Sequence, residues 1–257
     1  MVAGPIISRT LYLLITIMDE EQSPGESIHT TICDVDVEFR MASAKDNRSV
    51  SDMAEGSADE IFEDMFTEMH EGDVFFEIGA YIGIFSCVVG QKSPGIGIVC
   101  FEPHPHTRET LKKNLQLNGI DATVMDCAIS NSDGTIAFDA RSDTPRGMGE
   151  VRHTGGEMNT SVRTLDGVIT DDGVPSPTVI MSDIVGEEIN LLRGGSRTLS
   201  SPTTRVVYIV IHDQPLERLG SSKQEVEELL RIYGFDKLEY LRENLLKAKK
   251  SGQTGEL

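Results

Sequence analysis

The sequence predicts an α/β domain in which a mostly parallel sheet carries helices on both faces. Three features lead to it. Downstream of residue 72, short continuous apolar runs alternate with segments of helical period. The runs, Val74 to Ile78 and Val206 to Ile211 among them, are rich in Val, Ile and Phe without polar alternation, as in strands buried on both faces. Turn signals such as Asn118-Gly119 and Asp133-Gly134 separate them. At 257 residues the chain suits one large domain, or one domain with an N-terminal extension.

Residues 1 to 18 are fairly apolar, centred on Leu11 to Ile17. That run is too short to cross ~30 Å of hydrocarbon, and Arg9 and Asp19 bracket it. It lacks the positive start and cleavage site of a signal peptide, so it is expected to pack on the domain, without stable membrane insertion. Residues 19 to 32 are polar and turn-rich, and Val35 to Met41 alternates at period two, a strand with one buried face. A second polar stretch, 42 to 56, precedes Ser57-Ala58-Asp59-Glu60, which reads as a capping box. Ile61, Phe62, Met65, Phe66 and Met69 supply the following helical stripe, ended by Gly72, and the acidic residues from Glu60 to Glu71 form its solvated face.

Strand and helix then alternate: strand Val74 to Ile78, helix Ile82 to Val89, strand Ile96 to Phe101, helix Thr107 to Leu117, strand Ala122 to Asp126 and a short strand Thr135 to Ala140. Residues 141 to 162, with Gly147, Gly149, Gly155 and Gly156 and with Arg141, Arg146, Arg152 and His153, form a long loop, either a lid over an acceptor or plain disorder. Strands Thr178 to Ser182 and Val206 to Ile211 and helix Lys223 to Ile232 follow, and Lys237 to Lys250 suits either a hairpin or one helix.

Acidic residues number 42 against 23 basic ones, a net charge of −19. Such a surface repels phosphate, which disfavours nucleic acid as a partner, and it offers no basic patch to a membrane. Two accounts of the charge stand level: work at high salt, where a Debye length of roughly 3 Å at 1 M quiets self-repulsion, or a simply acidic protein. Cys33, Cys87, Cys100 and Cys127 form no C-x-x-C pair, and the last three sit in apolar runs. They read as buried thiols of a reducing cytoplasm rather than zinc ligands.

In an open α/β sheet, ligands bind beyond the carboxyl ends of the strands. Gly79, Ala80, Tyr81 and Gly83 lie in the first strand-to-helix turn, where missing Cβ atoms admit a close ligand. Glu77, at the end of that strand, can accept from an ammonium group directly or through water. Glu102 ends the next strand, before Pro103, and its two oxygens suit the two hydroxyls of a ribose. A dinucleotide site would want G-x-G-x-x-G and an approaching pyrophosphate. The chain reads E-x-G-x-x-x-G instead, which favours the zwitterionic tail of S-adenosylmethionine over NAD. A tight turn without ligand is the bland alternative.

The run Gly72 to Gly83 resembles the first motif of FkbM-type methyltransferases, and Phe101-Glu102-Pro103-His104-Pro105 with Leu115 to Gly119 resembles the second. Ala128-Ile129-Ser130, Ser161 to Asp166 and Ser182 to Glu188 continue the likeness in order, over about residues 72 to 241. The resemblance implies S-adenosylmethionine as cofactor, a Rossmann-like class I fold of seven strands with a reversed last strand, and methylation of a hydroxyl. It also implies that Asp126, with Cys127 beside it, lies where adenine is held. On this basis residues 57–257 are the methyltransferase domain and 1–56 an extension.

An alcohol acceptor needs its proton removed as the methyl arrives, which asks for a carboxylate or imidazole. Asp183, after the strand 178 to 182, and His212, after the strand 206 to 211 and before Asp213, can each be that base. His212 reads equally as a strand-end histidine with a backbone partner, and the pair falls short of a metal site. His104 and His106 flank Pro105 in a loop, solvated or lining the cleft. Where FkbM-type chains read K-I-D-V-E-G, this one has Met181 to Gly186, with Val185 for the glutamate, and Val210 stands for a second acid. The sequence therefore supports an O-methyltransferase acting on a small molecule or glycan. Its alternatives are an S-adenosylmethionine-binding protein without transferase activity and, less well supported, an NAD-dependent oxidoreductase.

Overall fold

A computed structural model describes residues 27–138 and 158–252; the expectations for residues 1 to 26, His153 and most of the 141 to 162 loop lie outside them. In chain order, β1 (Ser27–Ile32) and β2 (Val35–Arg40) lead into helices α1 (Ala44–Ala54) and α2 (Asp59–Glu68). Then come β3 (Val74–Ile78), α3 (Ile84–Lys92), β4 (Gly97–Phe101), α4 (Pro105–Leu117) and β5 (Ala122–Met125). Strands β6 (Cys127–Ser130), β7 (Gly134–Phe138) and β8 (Met158–Thr164) form a small separate sheet. The chain continues through α5 (Leu165–Asp171), β9 (Val179–Ser182), α6 (Glu188–Gly194), α7 (Ser196–Ser200), β10 (Val206–Val210), α8 (Asp213–Arg218) and α9 (Lys223–Ile232). It closes with the hairpin β11 (Lys237–Arg242) and β12 (Leu245–Lys249).

The central sheet has seven strands in the order β11-β12-β10-β9-β3-β4-β5. Five of them, from β10 to β5, run parallel, and β12 is antiparallel to β10. This is the class I arrangement, with the last strand reversed and the ambiguous C-terminal segment resolved as a hairpin. The period-two geometry of a strand explains the continuous apolar runs, since neighbours face opposite layers. Phe75 and Tyr208 join one core with Phe39, Phe62, Val88 and Leu111; Phe76 and Val207 join the other with Leu165, Leu192, Leu230 and Phe235. Burying each such side chain contributes about 1.5–3 kcal/mol.

The chain leaves β3 toward β4 and β5 on one side, and later adds β9 and β10 on the other. The strand order therefore reverses between β3 and β9, and their carboxyl ends open into a crevice.

Several local expectations are corrected. The polar stretch 42 to 56 contains α1, capped by Ser43 Oγ accepting from Asp46 N–H, while Asp46 accepts from Ala42 N–H at 2.7 Å. Ser57 does not cap α2: the N-cap is Ala58 without a side-chain bond, and the Ser57 N–H that Glu60 would have received donates instead to the Asp52 carbonyl in the turn from α1. Residues 27 to 32 of the turn-rich stretch are a strand, stabilised by full pairing with β2. Residues 158 to 162 of the long loop belong to β8, held between β6 and β7.

The face of α2 is not wholly solvated. Glu68 is 8% exposed and pairs with Lys247 and Lys249 of β12, and Asp64 takes bonds from Lys247 and Tyr208. Burial opposes the ionised Glu68, but the two lysines outweigh it and hold its carboxyl below the usual range. These pairs leave the net charge of −19 unchanged, since it already counts their lysines. Stability against heat is therefore expected to rise between dilute buffer and molar KCl as self-repulsion is screened, and equal midpoints in the two would exclude a high-salt adaptation.

Candidate functional site

The first strand-to-helix turn is shaped by left-handed backbone. Gly79 has φ +80°, Tyr81 +52° and Gly83 +83°. The sequence suggests that the absent Cβ atoms make room for a ligand; they make room for the protein. A Cβ on Gly79 would sit 2.3 Å from the Asp183 carbonyl oxygen, and one on Gly83 would sit 2.5 Å from Leu111. Gly79 thus lets the chain leaving β9 press against the turn after β3. Tyr81 carries its positive φ with outside support. Its hydroxyl donates to Asp46 of α1, and its ring lies 4.6 Å beneath the Lys45 ammonium.

A cavity of about 120 Å³ opens at this switch point, lined by Glu77, Gly79, Ala80, Tyr81, Met181 and Asp183. Ser49 and Met53 of α1 close it from above. Glu77 is 4% exposed and accepts from the Ser86 amide at 3.0 Å and from the Ser86 hydroxyl. Burial pushes its carboxyl up to about 8 against those bonds, with the nearby Glu102 charge adding to the rise. Glu102, 5% exposed, accepts from Tyr81 N–H at 2.9 Å on one oxygen and from His104 N–H at 2.8 Å on the other. Burial raises it to about 7 although both amides, Arg108 and Lys45 favour the ionised form. Each Glu102 oxygen keeps a lone pair for a further donor.

Pro103 is half-buried beside Glu102, and its carbonyl accepts from Arg108 at 3.0 Å. Asp126 is exposed between β5 and β6, and the Cys127 thiol next to it is buried, with burial and the Asp126 charge raising it to about 11. His104 is not a solvated loop residue. It is 7% exposed and caps α4, with Nδ1 accepting from Thr107 N–H at 3.3 Å. His106 is exposed.

Asp183 follows β9 at the mouth of the cavity, with its side chain 53% exposed to the cleft, and His212 Nε2 lies 3.4 Å from its Oδ1. The surrounding protein raises the Asp183 carboxyl above its ordinary range, with Glu188 adding to the rise and His212 and Lys45 opposing it. His212 is at once a strand-end histidine with a local partner and a neighbour of Asp183. Its backbone N–H and its Nδ1 both meet Glu188 Oε1, at 3.0 and 2.8 Å. Burial disfavours the imidazolium, but the Glu188 bond and the charges of Asp183, Glu188 and Asp213 outweigh it and raise His212 above the usual histidine value.

Residues of the site that sequence patterns did not single out are Lys45, Asp46, Ser86 and Glu188. Two of them carried a signal: Asp46, as the fourth residue of Ser43-Ala44-Lys45-Asp46, a capping pattern, and Glu188, as the end of the motif that begins at Ser182.

The Methyltransferase FkbM domain matches residues 77–237, from the carboxylate of the first turn to the start of the C-terminal hairpin. The chain belongs to the FkbM methyltransferase family. Among FkbM relatives, hexuronic acid methyltransferase AglP of Haloferax volcanii is 27% identical over 166 residues, covering 65% of this chain and 64% of its own length. The 31-O-demethyl-FK506 methyltransferase FkbM of Streptomyces tacrolimicus is 26% identical over 227 residues, covering 73% of this chain and 85% of its own. The solved 16S rRNA N2 G1207 methyltransferase of T. thermophilus, in complex with AdoMet and guanosine, aligns with a TM-score of 0.48 at 14% identity, over 89% of this chain and 51% of its own. No helix among the described residues is long and apolar enough to cross a membrane.

Proposed function

We propose that this FkbM-family chain is an S-adenosylmethionine-dependent O-methyltransferase whose acceptor is a hydroxyl on a small molecule or glycan. The observation that carries the proposal is the meeting of Asp183 and His212, 3.4 Å apart, at the mouth of a cavity walled by Glu77 to Tyr81. The names of AglP, a hexuronic acid methyltransferase, and of FkbM, which acts on 31-O-demethyl-FK506, support the acceptor class.

The residues present fit the cofactor. Glu77 offers a carboxylate to an ammonium group inside the cavity, and Glu102 offers two oxygens to a diol just outside it. Gly79, Ala80, Tyr81 and Gly83 form the turn after Glu77, and Pro103, Asp126 and Cys127 would hold the adenine. When bound, S-adenosylmethionine supplies a sulfonium-activated methyl and departs as a neutral thioether. The protein's share is alignment and proton removal. His212 Nε2 would take the proton of the acceptor hydroxyl during transfer, and Asp183 would stabilise the imidazolium before the proton passes to solvent.

Residues 57–257 are assigned as the methyltransferase domain, since the family match lies wholly within them, and 1–56 as an extension whose described part closes over the cavity through α1. The unpaired thiols of Cys33, Cys87, Cys100 and Cys127 support a cytoplasmic location, and the acidic surface argues against nucleic acid as a partner.

S-adenosylhomocysteine at about 100 times its Kd is expected to stabilise the protein by about 2.7 kcal/mol in a thermal-shift measurement, and NAD is expected to do nothing. Glu102→Ala is expected to abolish the shift while circular dichroism stays native; an unchanged affinity by calorimetry removes Glu102 from the site. A second reading, cofactor binding without transfer, draws on Val185 and Val210, which put apolar side chains at the acceptor end. Labelled methyl transfer into any fraction of a cell extract eliminates it.

A further inference from the structure

We propose that Glu188 is a positioning residue for His212: it holds the Nδ1–H, leaves Nε2 as the proton-accepting atom facing Asp183, and stabilises the imidazolium. The proposal rests on His212 being the base.

The tautomer follows from the donors around one oxygen. Glu188 is fully buried at the start of α6. Its Oε1 lies 2.8 Å from His212 Nδ1 and accepts two backbone N–H groups, those of Gly186 at 3.2 Å and His212 at 3.0 Å. An oxygen that accepts two amides carries no hydrogen to give, so the hydrogen between Oε1 and Nδ1 belongs to the nitrogen. Were the carboxyl protonated, its hydrogen would sit on Oε2, which is buried and has no hydrogen-bond partner among the described residues. In both states Nδ1 donates, and the neutral ring keeps its lone pair on Nε2.

The groups facing the ring come from three elements besides its own. Asp183, after β9, stands 3.4 Å from Nε2, and Glu188 of α6 holds Nδ1. Lys45 of α1 acts on Asp183 from across the cleft, and Asp213 follows His212 in α8. A proton arriving at Nε2 therefore lands between two carboxylates, and that Nε2–H can donate to Asp183. Outer partners that fix ring orientation and tautomer in this way are common for functional histidines.

Glu188 also ties two loops together, since Gly186 follows β9 and His212 follows β10. Gly186, at φ +84°, packs its bare Cα against Pro215, where a Cβ would come within 2.9 Å. Loss of activity in a Glu188 variant would consequently not separate tautomer control from support of the loops.

Long-range proton–nitrogen correlation spectra of the full-length chain labelled with ¹⁵N-histidine, recorded from acid to alkaline pH, make the separation. His212 is assigned by the signals that vanish in His212→Gln. The expected neutral form is the Nδ1–H tautomer, titrating above the ordinary value of about 6.5. Glu188→Gln, which preserves shape, is expected to lower the midpoint by about one pH unit or more. An Nε2–H tautomer in the wild type, or a midpoint unmoved by Glu188→Gln, overturns the proposal. If that variant does not fold, the wild-type tautomer decides alone. A His212→Gln protein that still transfers methyl removes His212 as base without altering the spectroscopic result, so the two failures are distinguishable.

Discussion

His212→Gln is expected to slow methyl transfer by about 10²–10⁴-fold, the span typical of a lost general base, while S-adenosylhomocysteine binds as before. The separation of effects follows from position. His212 does not line the cavity, whereas Glu77 and Gly79 to Tyr81 do. The rate profile gives a second signature. His212 is raised above the ordinary histidine value, so the form with a free Nε2 is in the minority below that raised midpoint and dominates above it. Turnover in the wild type should climb with pH through neutrality and then level off. The measurement is transfer of labelled methyl into an extract fraction containing an acceptor, at saturating cofactor. A His212→Gln protein with wild-type turnover and the same pH profile would falsify the assignment.

Cofactor affinity should itself depend on pH, through Glu77. Its carboxyl is pushed up to about 8 by burial, so in the empty protein at neutral pH it mostly carries its proton. An ammonium group pairs with the carboxylate and not with the acid, so binding below about pH 8 must expel that proton. Affinity for S-adenosylhomocysteine is accordingly expected to rise about tenfold per pH unit for the proton released, flattening as Glu77 becomes ionised without help. Glu102, raised to about 7, steepens the rise at lower pH because its ionised form is the better acceptor for two hydroxyls. Calorimetry in buffers of different ionisation heat counts the protons directly. Glu77→Gln should bind more weakly and lose its part of the pH dependence; an affinity flat between pH 6 and 8 in the wild type would show that Glu77 meets no cation.

The stretch from Val74 to Leu117 was legible because its strands are buried on both faces and its turns carry glycine, asparagine or proline, so composition and position say the same thing. The first strand and α1 were harder for a physical reason. The outer face of β1 is polar, and α1 buries only Asp46 and Val50, so neither shows the apolar run that marks an interior element. What fixes α1 is tertiary: Tyr81 donates to Asp46, and Val50 joins the core that holds Phe62 and Phe75. At the site the pattern repeats. Glu77 and Glu102 stood out by their place at strand ends, but nothing local tells that Ser86 would satisfy the first or Tyr81 and His104 the second. Glu188 ended the motif that begins at Ser182, but its role was unreadable for the same cause, since it depends on a histidine 24 residues away, brought near only when β9 and β10 pair.

Tyr81 gives the N-terminal segment a lever. Its hydroxyl is tied to α1, its backbone is held in a left-handed bend between two glycines, and its amide grips the Glu102 carboxylate. Tyr81 thus joins α1, which lines the cavity, to the Glu102 carboxylate. One residue therefore couples the helix that lines the cavity to the carboxylate proposed to hold the ribose.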